Sequence, residues 1–220
     1  QENDSEVTIT DSNRNTVNVS QIGDRNNSDV QVLNSSNGNK VVVAQSELKN
    51  RANVKVTRNS SRNTAKAVQS GERNKANLTV KQNSSGNKVR TKQVGDRNDT
   101  RVLVNRDADR NTIRAVQKGM NNESKIDVNV NSNGNTVSVL QRGDNNTFDM
   151  WDGDGIQRNS SNNSVTGVQR GDGNDMEVEI EDDSDRNTVV ATQIGDNNII
   201  DDIEMDNNSN GNDVTVLQMG

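Results

Sequence analysis

The pattern that organises the whole chain is visible in residues 63–80, which read NTAKAVQSGERNKANLTV. Apolar residues alternate with polar ones, first at Ala65 and Ala67 and then at Ala76, Leu78 and Val80. This period of two is typical of a β-strand with one buried face, and it excludes an amphipathic helix. The intervening Ser-Gly-Glu-Arg-Asn segment holds residues that end strands and form turns. The stretch therefore predicts two strands joined by a turn.

The same unit recurs nine times along the chain, as Asn, five residues, Gln, one residue and Gly. Its Gln residues are spaced by 24 positions, except for one spacing of 28 and one of 25, and they are Gln21, Gln45, Gln69, Gln93, Gln117, Gln141, Gln169, Gln193 and Gln218. An Asn precedes each Gln by six positions: Asn15, Asn39, Asn63, Asn87, Asn111, Asn135, Asn163, Asn187 and Asn212. Another Asn follows all but the last Gln by five: Asn26, Asn50, Asn74, Asn98, Asn122, Asn146, Asn174 and Asn198. The predicted turn glycines stand two positions after Gln, where one copy has Glu47 instead: Gly23, Gly71, Gly95, Gly119, Gly143, Gly171 and Gly195.

A single unit cannot bury its narrow apolar stripe, but stacked copies pair every strand with the same strand of the next coil. We therefore predict an all-β fold, a two-stranded β-solenoid with a period of about 24 residues and about nine coils. At roughly 4.8 Å per coil the rod is about 43 Å long. Residues 1–14 are a partial repeat with one strand at 7–10, residues 15–220 hold the repeats, and a four-residue insertion lies within 147–162.

The regular spacing of Gln and Asn within the chain predicts a structural role for their amide side chains. Each buried Gln is expected to donate to the amide oxygen one coil away, so that no polar group in the core is left unsatisfied. The Asn columns are expected to do the same at the corners, where Asn also tolerates the left-handed backbone of tight turns. Because proline would delete a donor in such a stack, its absence from the chain fits this prediction.

Composition excludes several classes of function. The chain has 220 residues, of which 27% are hydrophobic, with one Trp, one Phe and a mean hydropathy of −1.03. Without His or Cys it lacks thiolate sites, disulfides and most nucleophile–base pairs, so we expect no enzyme, metal site or cofactor. No apolar run reaches the roughly 20 residues of a membrane-spanning helix. Because residue 1 is Gln, we expect a removed leader and export.

The unit Asn-x5-Gln-x-Gly-x2-Asn-x-small resembles the curlin repeat of the extracellular amyloid fibres of bacterial biofilms. Gln69, Gly71, Asn74 and Ala76 show the match in one copy, and the resemblance covers nearly the whole chain. It departs from the family in having Asn for the opening Ser and an aliphatic residue, such as Val80, for the second Gln. The resemblance implies a secreted fibre subunit at the bacterial cell surface that serves adhesion and the biofilm matrix. It also implies a nucleator subunit and an outer-membrane secretion channel as partners.

Physical reasoning supports self-assembly. A finite stack exposes an unpaired strand edge at each end, and a second copy fits such an edge. Because the contact joins two different surfaces, it propagates as a filament, and the sequence shows no polar capping repeat. We expect the strand at 7–10 to complete a coil and to meet the C-terminal strand of the preceding subunit.

Charge is segregated along the chain. Residues 1–36 carry a net charge of −4, residues 37–120 carry +13 and residues 121–220 carry −15, which together give −6. The band at 37–120 either attracts neighbouring filaments or holds a polyanion such as DNA or an acidic polysaccharide. The alternative is a solvated surface that keeps the subunit soluble.

The insertion holds both aromatic residues and permits three interpretations. It forms an exposed docking loop around Trp151, a calcium site using Asp152 and Asp154, or a tolerated bulge with Phe148 in the inward position of its strand.

Two other functions compete with fibre formation. A non-polymerising adhesin or spacer rod needs end caps. A ligand-binding or ice-binding rod is the second. Ice binding needs a regular outward array of Thr, whereas the outward column of the first strand is mixed: Asn18, Val42, Lys66, Arg90, Arg114, Ser138, Thr166, Val190 and Thr215.

Overall fold

The computed structural model describes residues 2–150, 155–206 and 208–220. Within these ranges the chain forms strands and turns and no helix. One nine-stranded sheet, here called the glutamine sheet, has the order β2 (Thr16–Asp24), β4 (Lys40–Leu48), β6 (Thr64–Glu72), β8 (Lys88–Val94), β10 (Thr112–Lys118), β12 (Thr136–Arg142), β14 (Ser164–Arg170), β17 (Thr188–Ile194) and β20 (Asp213–Met219).

The second nine-stranded sheet, here called the aliphatic sheet, collects the other half of each repeat. Its order is β1 (Asp4–Thr10), β3 (Asn27–Leu33), β5 (Arg51–Thr57), β7 (Lys75–Lys81), β9 (Asp99–Asn105), β11 (Glu123–Asn129), β13 (Thr147–Met150), β15 (Asp175–Glu177) and β18 (Ile199–Ile200). Two short strands, β16 (Glu179–Ile180) and β19 (Glu204–Met205), pair with each other after β15 and β18.

Every strand pairing is parallel and joins equivalent positions of successive repeats. In the glutamine sheet Gln93 lies beside Gln117, and in the aliphatic sheet Leu78 lies beside Val102. The chain is therefore a β-solenoid of about nine coils with a period of about 24 residues, as the sequence predicted. Parallel pairing follows from the repeat, since each strand meets its own copy one coil later.

The core is the thin layer between the inner faces of the two sheets. Alternate residues of each interior strand point inward and are buried, as at Ala65 and Ala67 of β6 and at Ala76, Leu78 and Val80 of β7. At about 25 cal/mol per Å² of apolar surface removed from water, burial of these small columns over nine coils stabilises the stack. A chain of such low hydropathy folds because its two-sheet core needs only two or three apolar residues per strand.

The four-residue insertion interrupts a strand of the aliphatic sheet without disturbing its columns. Met150 pairs with Ile126, and Ile156 forms bridges to Val128 on one side and Ile180 on the other. The inward column therefore passes from Met150 to Ile156, and it continues past the insertion. The docking loop and the calcium site suggested for residues 151–154 lie outside the described residues.

Phe148 takes the inward position of its strand, beside Ser124 and Met176. Its ring is fully buried, and the space comes from the facing sheet, where Gly167 lies in a column otherwise filled by Val, Ala or Thr. A Cβ added to Gly167 would overlap the Phe148 ring. A large residue on one sheet is thus matched by the smallest residue on the other.

The N-terminal strand forms half a coil. Val7 lies beside Val30 and Ile9 beside Val32, at a spacing of 23 rather than 24 residues. Because no strand lies on its other side in the described chain, both inward side chains remain more than 40% exposed.

Candidate functional site

The nine Gln side chains form one continuous hydrogen-bonded ladder along the core. Each Nε2 donates to the Oε1 of the next Gln toward the C-terminus, at 2.9 Å from Gln21 to Gln45 and 3.2 Å from Gln193 to Gln218. The intervening bonds are 2.9–3.0 Å long. The seven interior Gln residues are at most 2% exposed, so the ladder satisfies amides that would otherwise be costly to bury.

Further bonds from the same amides tie the two sheets together. Gln117 Nε2 also donates to the Asp99 carbonyl at 2.8 Å, at the start of β9, and to the Asn122 carbonyl at 2.9 Å, just before β11. Its Oε1 accepts a second bond from the Thr100 hydroxyl at 2.7 Å. The Gln column therefore sets the register between coils and also the distance between the sheets at this corner.

Two Asn ladders line the corners and run in the opposite direction. In the first, the backbone N–H of Asn87 donates to Asn63 Oδ1 at 2.8 Å, and its Nδ2 donates to the Ala108 carbonyl one coil later at 2.9 Å. In the second, Asn98 Nδ2 donates to Asn74 Oδ1 at 3.0 Å and to the Gly119 carbonyl at 2.8 Å. Each Asn thus contacts the coil before it and the coil after it.

The expectation that the ladder Asn residues adopt the left-handed backbone is wrong. Positive φ occurs instead at the residue just before them, as at Arg73 (φ 56°), Arg97 (φ 56°) and Asn121 (φ 55°). The left-handed residue makes the bend, and the ladder Asn after it is left free to hold its side chain in the buried column. An Arg with positive φ has no sequence signature, because Gly, Asn and Asp are the usual occupants.

The glycines two positions after Gln lie where the backbone of the next coil comes very close. Gly119 adopts a φ of 122°, and a Cβ there would overlap the carbonyl oxygen of Gly143 in the next coil. Glu47 is the exception in this column, and it adopts a φ of 76°. Glycine at this position therefore allows close approach of successive backbones as well as the turn.

Three further contributions to the ladders were missed by the sequence analysis. Asn3 Oδ1 accepts from the backbone N–H of Asn26 at 2.9 Å, so Asn3 begins the second Asn ladder. A column of buried Ser at the other corner accepts backbone N–H bonds, as from Ser36 to Ser12 Oγ at 3.0 Å. The neighbouring column contains several residue types, and there each backbone N–H donates to a side chain of the next coil rather than the preceding one, as Asn37 N–H does to Ser61 Oγ at 3.0 Å. The 24-residue recurrence of Ser in the Asn-Ser-Ser-Asn segments was the available signal.

The first coil carries a buried group that lacks a partner, and the last coil ends the ladders. Asn15 Nδ2, in the first coil, is buried without a hydrogen bond among the described residues. At the other end Gln218 accepts from Gln193, and Asn212 donates to Asn187 at 3.1 Å, each ending its ladder in the described chain. Exposed apolar side chains accompany them, with Leu217 60% and Met219 70% exposed.

Charged residues are distributed over two outer faces and the corners. Lys125 Nζ pairs with Asp149 at 3.0 Å and with Glu123 at 3.3 Å. The hydrogen bond that Lys125 donates to the Asp149 carboxylate, with a smaller contribution from Glu123, raises the pKa of the Lys125 amine above its ordinary value. Carboxylate oxygens of Glu181, Asp182 and Asp206 lie within 4.8 Å of one another, but Arg158 pairs with Asp182 at 3.1 Å and supplies a cation to this cluster.

No helix within the described ranges is long and apolar enough to cross a membrane. Neither a protein-family model nor a curated protein matches the chain.

Proposed function

We propose that this chain is a self-assembling subunit of a curli-like extracellular amyloid fibre, in which successive subunits stack end to end. The observation that carries the proposal is the complementarity of the two ends. Among the described residues, β20 lies at the open edge of the glutamine sheet at one end, and β1 lies at the open edge of the aliphatic sheet at the other. A second copy would place its β2 beside β20 and its β1 beside β18 and β19, so that the open edges pair.

The ladders continue across such a junction with the correct polarity. Gln218 Nε2 would donate to Oε1 of Gln21 in the next subunit, because each ladder Gln from Gln21 to Gln193 donates toward the C-terminus. The Asn ladder runs the other way, with Nδ2 donating to the Asn of the preceding coil, as from Asn212 to Asn187. The unpaired Nδ2 of Asn15 would therefore donate to Asn212 Oδ1 of the preceding subunit. A buried donor without a partner costs about 1–3 kcal/mol, and stacking would remove that cost.

Apolar burial favours the same junction. Val17 and Val19 at one end, and Val214 and Val216 at the other, are only partly buried although equivalent residues inside the stack are fully buried. A second copy would complete both columns. The contact is between different surfaces and does not close, so it propagates as a filament.

The remaining parts of the proposal rest on the resemblance to curlin repeats. They are secretion to the bacterial cell surface, a nucleator subunit, an outer-membrane secretion channel, and a role in adhesion and the biofilm matrix. The proposed function is mechanical and not enzymatic, and its residues are the Gln and Asn ladders, the turn glycines and the inward apolar columns.

The first test is to incubate the purified chain at micromolar concentration, follow thioflavin fluorescence, and examine the product by electron microscopy and fibre diffraction. Unbranched fibres with reflections near 4.8 and 10 Å are expected. A chain that stays a monomeric rod would refute polymerisation and favour a non-polymerising adhesin or a ligand-binding rod.

The junction itself is tested with a pair of variants on β20. Val216→Lys places a charge in the surface that stacking buries, so elongation should nearly stop while the monomer keeps its β-sheet circular dichroism. The matched control is Thr215→Lys, whose side chain points outward from the same strand and should elongate normally. Removing residues 1–10 should also slow elongation. Unchanged elongation of Val216→Lys would contradict the proposed junction.

A further inference from the structure

The outer face of the glutamine sheet is strongly basic in the middle of the stack. We define the basic face by the outward side chains of β6, β8 and β10 that carry positive charge: Lys66, Lys88, Arg90, Lys92, Arg114 and Lys118. All six are exposed, and none is in an ion pair among the described residues. In every strand of the glutamine sheet from β4 to β17, the residues that precede the Gln include no Asp or Glu.

The basic face has a shallow depression that suits a carboxylate. It has a volume of about 160 Å³, and Val68 and Val116 contribute apolar surface to it. Its charged lining residues are Lys66, Arg90, Lys92 and Arg114. Lys66, Arg90 and Arg114 follow one another in a single column, one coil apart, so their like charges repel until an anion lies between them.

The outer face of the aliphatic sheet is acidic toward the C-terminal end. We define the acidic face by the outward carboxylates of β15, β16, β18 and β19 and the residues next to them: Asp175, Glu177, Glu179, Glu181, Asp201, Glu204 and Asp206. Like charges follow one another here too, since Glu179 lies beside Glu204. No Lys or Arg lies on the strands of this sheet after Lys125 in the described ranges.

We propose that the basic face is a docking surface for the acidic face of a second copy in a neighbouring filament, so that filaments associate side by side. The two faces lie on opposite sides of the flat solenoid, and each is the electrostatic complement of the other. Both also repeat at the same spacing of roughly 4.8 Å, because both are built from the coils of one stack. Charges on one face therefore meet charges on the other over several coils in succession.

The axial positions of the faces define the geometry of this association. The basic face is centred on the coil of β8, and the acidic face lies three to four coils later, at β15 and β18. Parallel neighbours would therefore be displaced by about 17 Å along the fibre axis. Because each filament has the basic face on one side and the acidic face on the other, a third filament can add to the second in the same way, and repeated addition produces layers. Each subunit adds a weak contact, and many such contacts along two filaments add up to a stable one.

This inference rests on the proposed fibre, and its test separates the two. Fibre formation is followed by thioflavin fluorescence, and side-by-side association by low-speed sedimentation and electron microscopy at about 20 mM and about 500 mM salt. Wild-type fibres are expected in the pellet as layers at low salt and in the supernatant as single filaments at high salt. If no fibres form, the proposed function fails and this inference fails with it.

Charge-reversal variants identify the faces. Arg90→Glu with Arg114→Glu should give single filaments at both salt concentrations. The matched control, Arg73→Glu with Arg97→Glu, makes the same change in net charge at the corner, in the turns that join the two strands of a single coil, and should associate like the wild type. Asp201→Lys with Glu204→Lys should also give single filaments, and mixing them with the Arg90/Arg114 variant should restore layers with the two kinds of filament side by side.

Three results would overturn the inference. The Arg90/Arg114 variant could associate as the wild type does, or the corner control could lose association to the same extent, which would make net charge the cause. Wild-type fibres could also remain single at low salt and associate only after DNA or an anionic polysaccharide is added, which would assign the basic face to a polyanion instead.

Discussion

Replacing Gln117 by Leu should destabilise the monomer far more than the same change at Gln218. Leu has a similar volume, so the comparison isolates the amide. Gln117 is fully buried, and among the residues that the structure describes it is the only donor to Gln141 Oε1 and the only acceptor for the Thr100 hydroxyl. The substitution leaves that amide oxygen without a donor, at about 1–3 kcal/mol, and removes the hydroxyl bond, at about 1 kcal/mol. We expect the free energy of unfolding to fall by about 2–4 kcal/mol.

Gln218 differs because of the direction of the ladder. It accepts one bond, from Gln193, and Gln193 Nε2 keeps bonds to the Asp175 and Asn198 carbonyls when that acceptor is lost. Gln218→Leu therefore leaves no buried group unsatisfied, and we expect it to cost less than about 1 kcal/mol.

The measurement is urea unfolding of freshly prepared monomer, followed by far-ultraviolet circular dichroism. The Gln117 variant should unfold at about 1 M lower urea than the wild type, and the Gln218 variant at nearly the same urea concentration. Equal shifts for the two variants, or no shift for Gln117→Leu, would refute the argument that the one-way ladder stabilises the core.

Three other predictions concern the turn, the core and charge. Gly119→Ala should destabilise the fold by about 1–3 kcal/mol, because its Cβ would overlap the next coil and its φ is strained, whereas Glu47→Gly should stabilise it by about 1 kcal/mol, as measured by thermal unfolding. Gly167→Ala should destabilise the core by about 1–3 kcal/mol through overlap with Phe148, and adding Phe148→Ser should recover part of the loss caused by that overlap, which a double-mutant cycle would detect as coupling. Because the pKa of Lys125 is raised in the folded state, its ion pairs stabilise the fold fully below pH 10.5, the ordinary pKa, and this stabilisation is lost as pH rises through the higher folded pKa. Lys125→Met should therefore remove that part of the decrease in the free energy of unfolding at alkaline pH, as measured by unfolding at a series of pH values.

The repeat made the architecture predictable from sequence. A strict spacing of Gln and Asn, together with a period of two, is compatible with few structures other than parallel coils, and the inward columns followed directly from it. Phe148 was also placed correctly, because alternation assigns it to the inward side of its strand.

The finer geometry was not predictable in the same way. Spacing shows that amides stack but not in which direction they donate, since both directions satisfy the same residues. The role of Asn3 was not predicted because it lies 23 residues before Asn26 and not 24. The role of the Ser12 column was not predicted because Ser is common in turns for other reasons. The left-handed residues were misassigned because Arg73 and Arg97 adopt a conformation that tertiary pairing imposes against local preference.

The interrupted pairing in the C-terminal part of the aliphatic sheet has a consequence for tensile strength. Backbone hydrogen bonds in this stack run along the rod, so a pull along the axis loads all bonds of one coil at once. Pairing is continuous between β7 and β9, but between the last two coils it is divided into the short pairs β15–β18 and β16–β19. Like-charged carboxylates face each other at this break. We expect a stretched rod to rupture there first, which would leave each fragment with a fresh edge from which growth resumes.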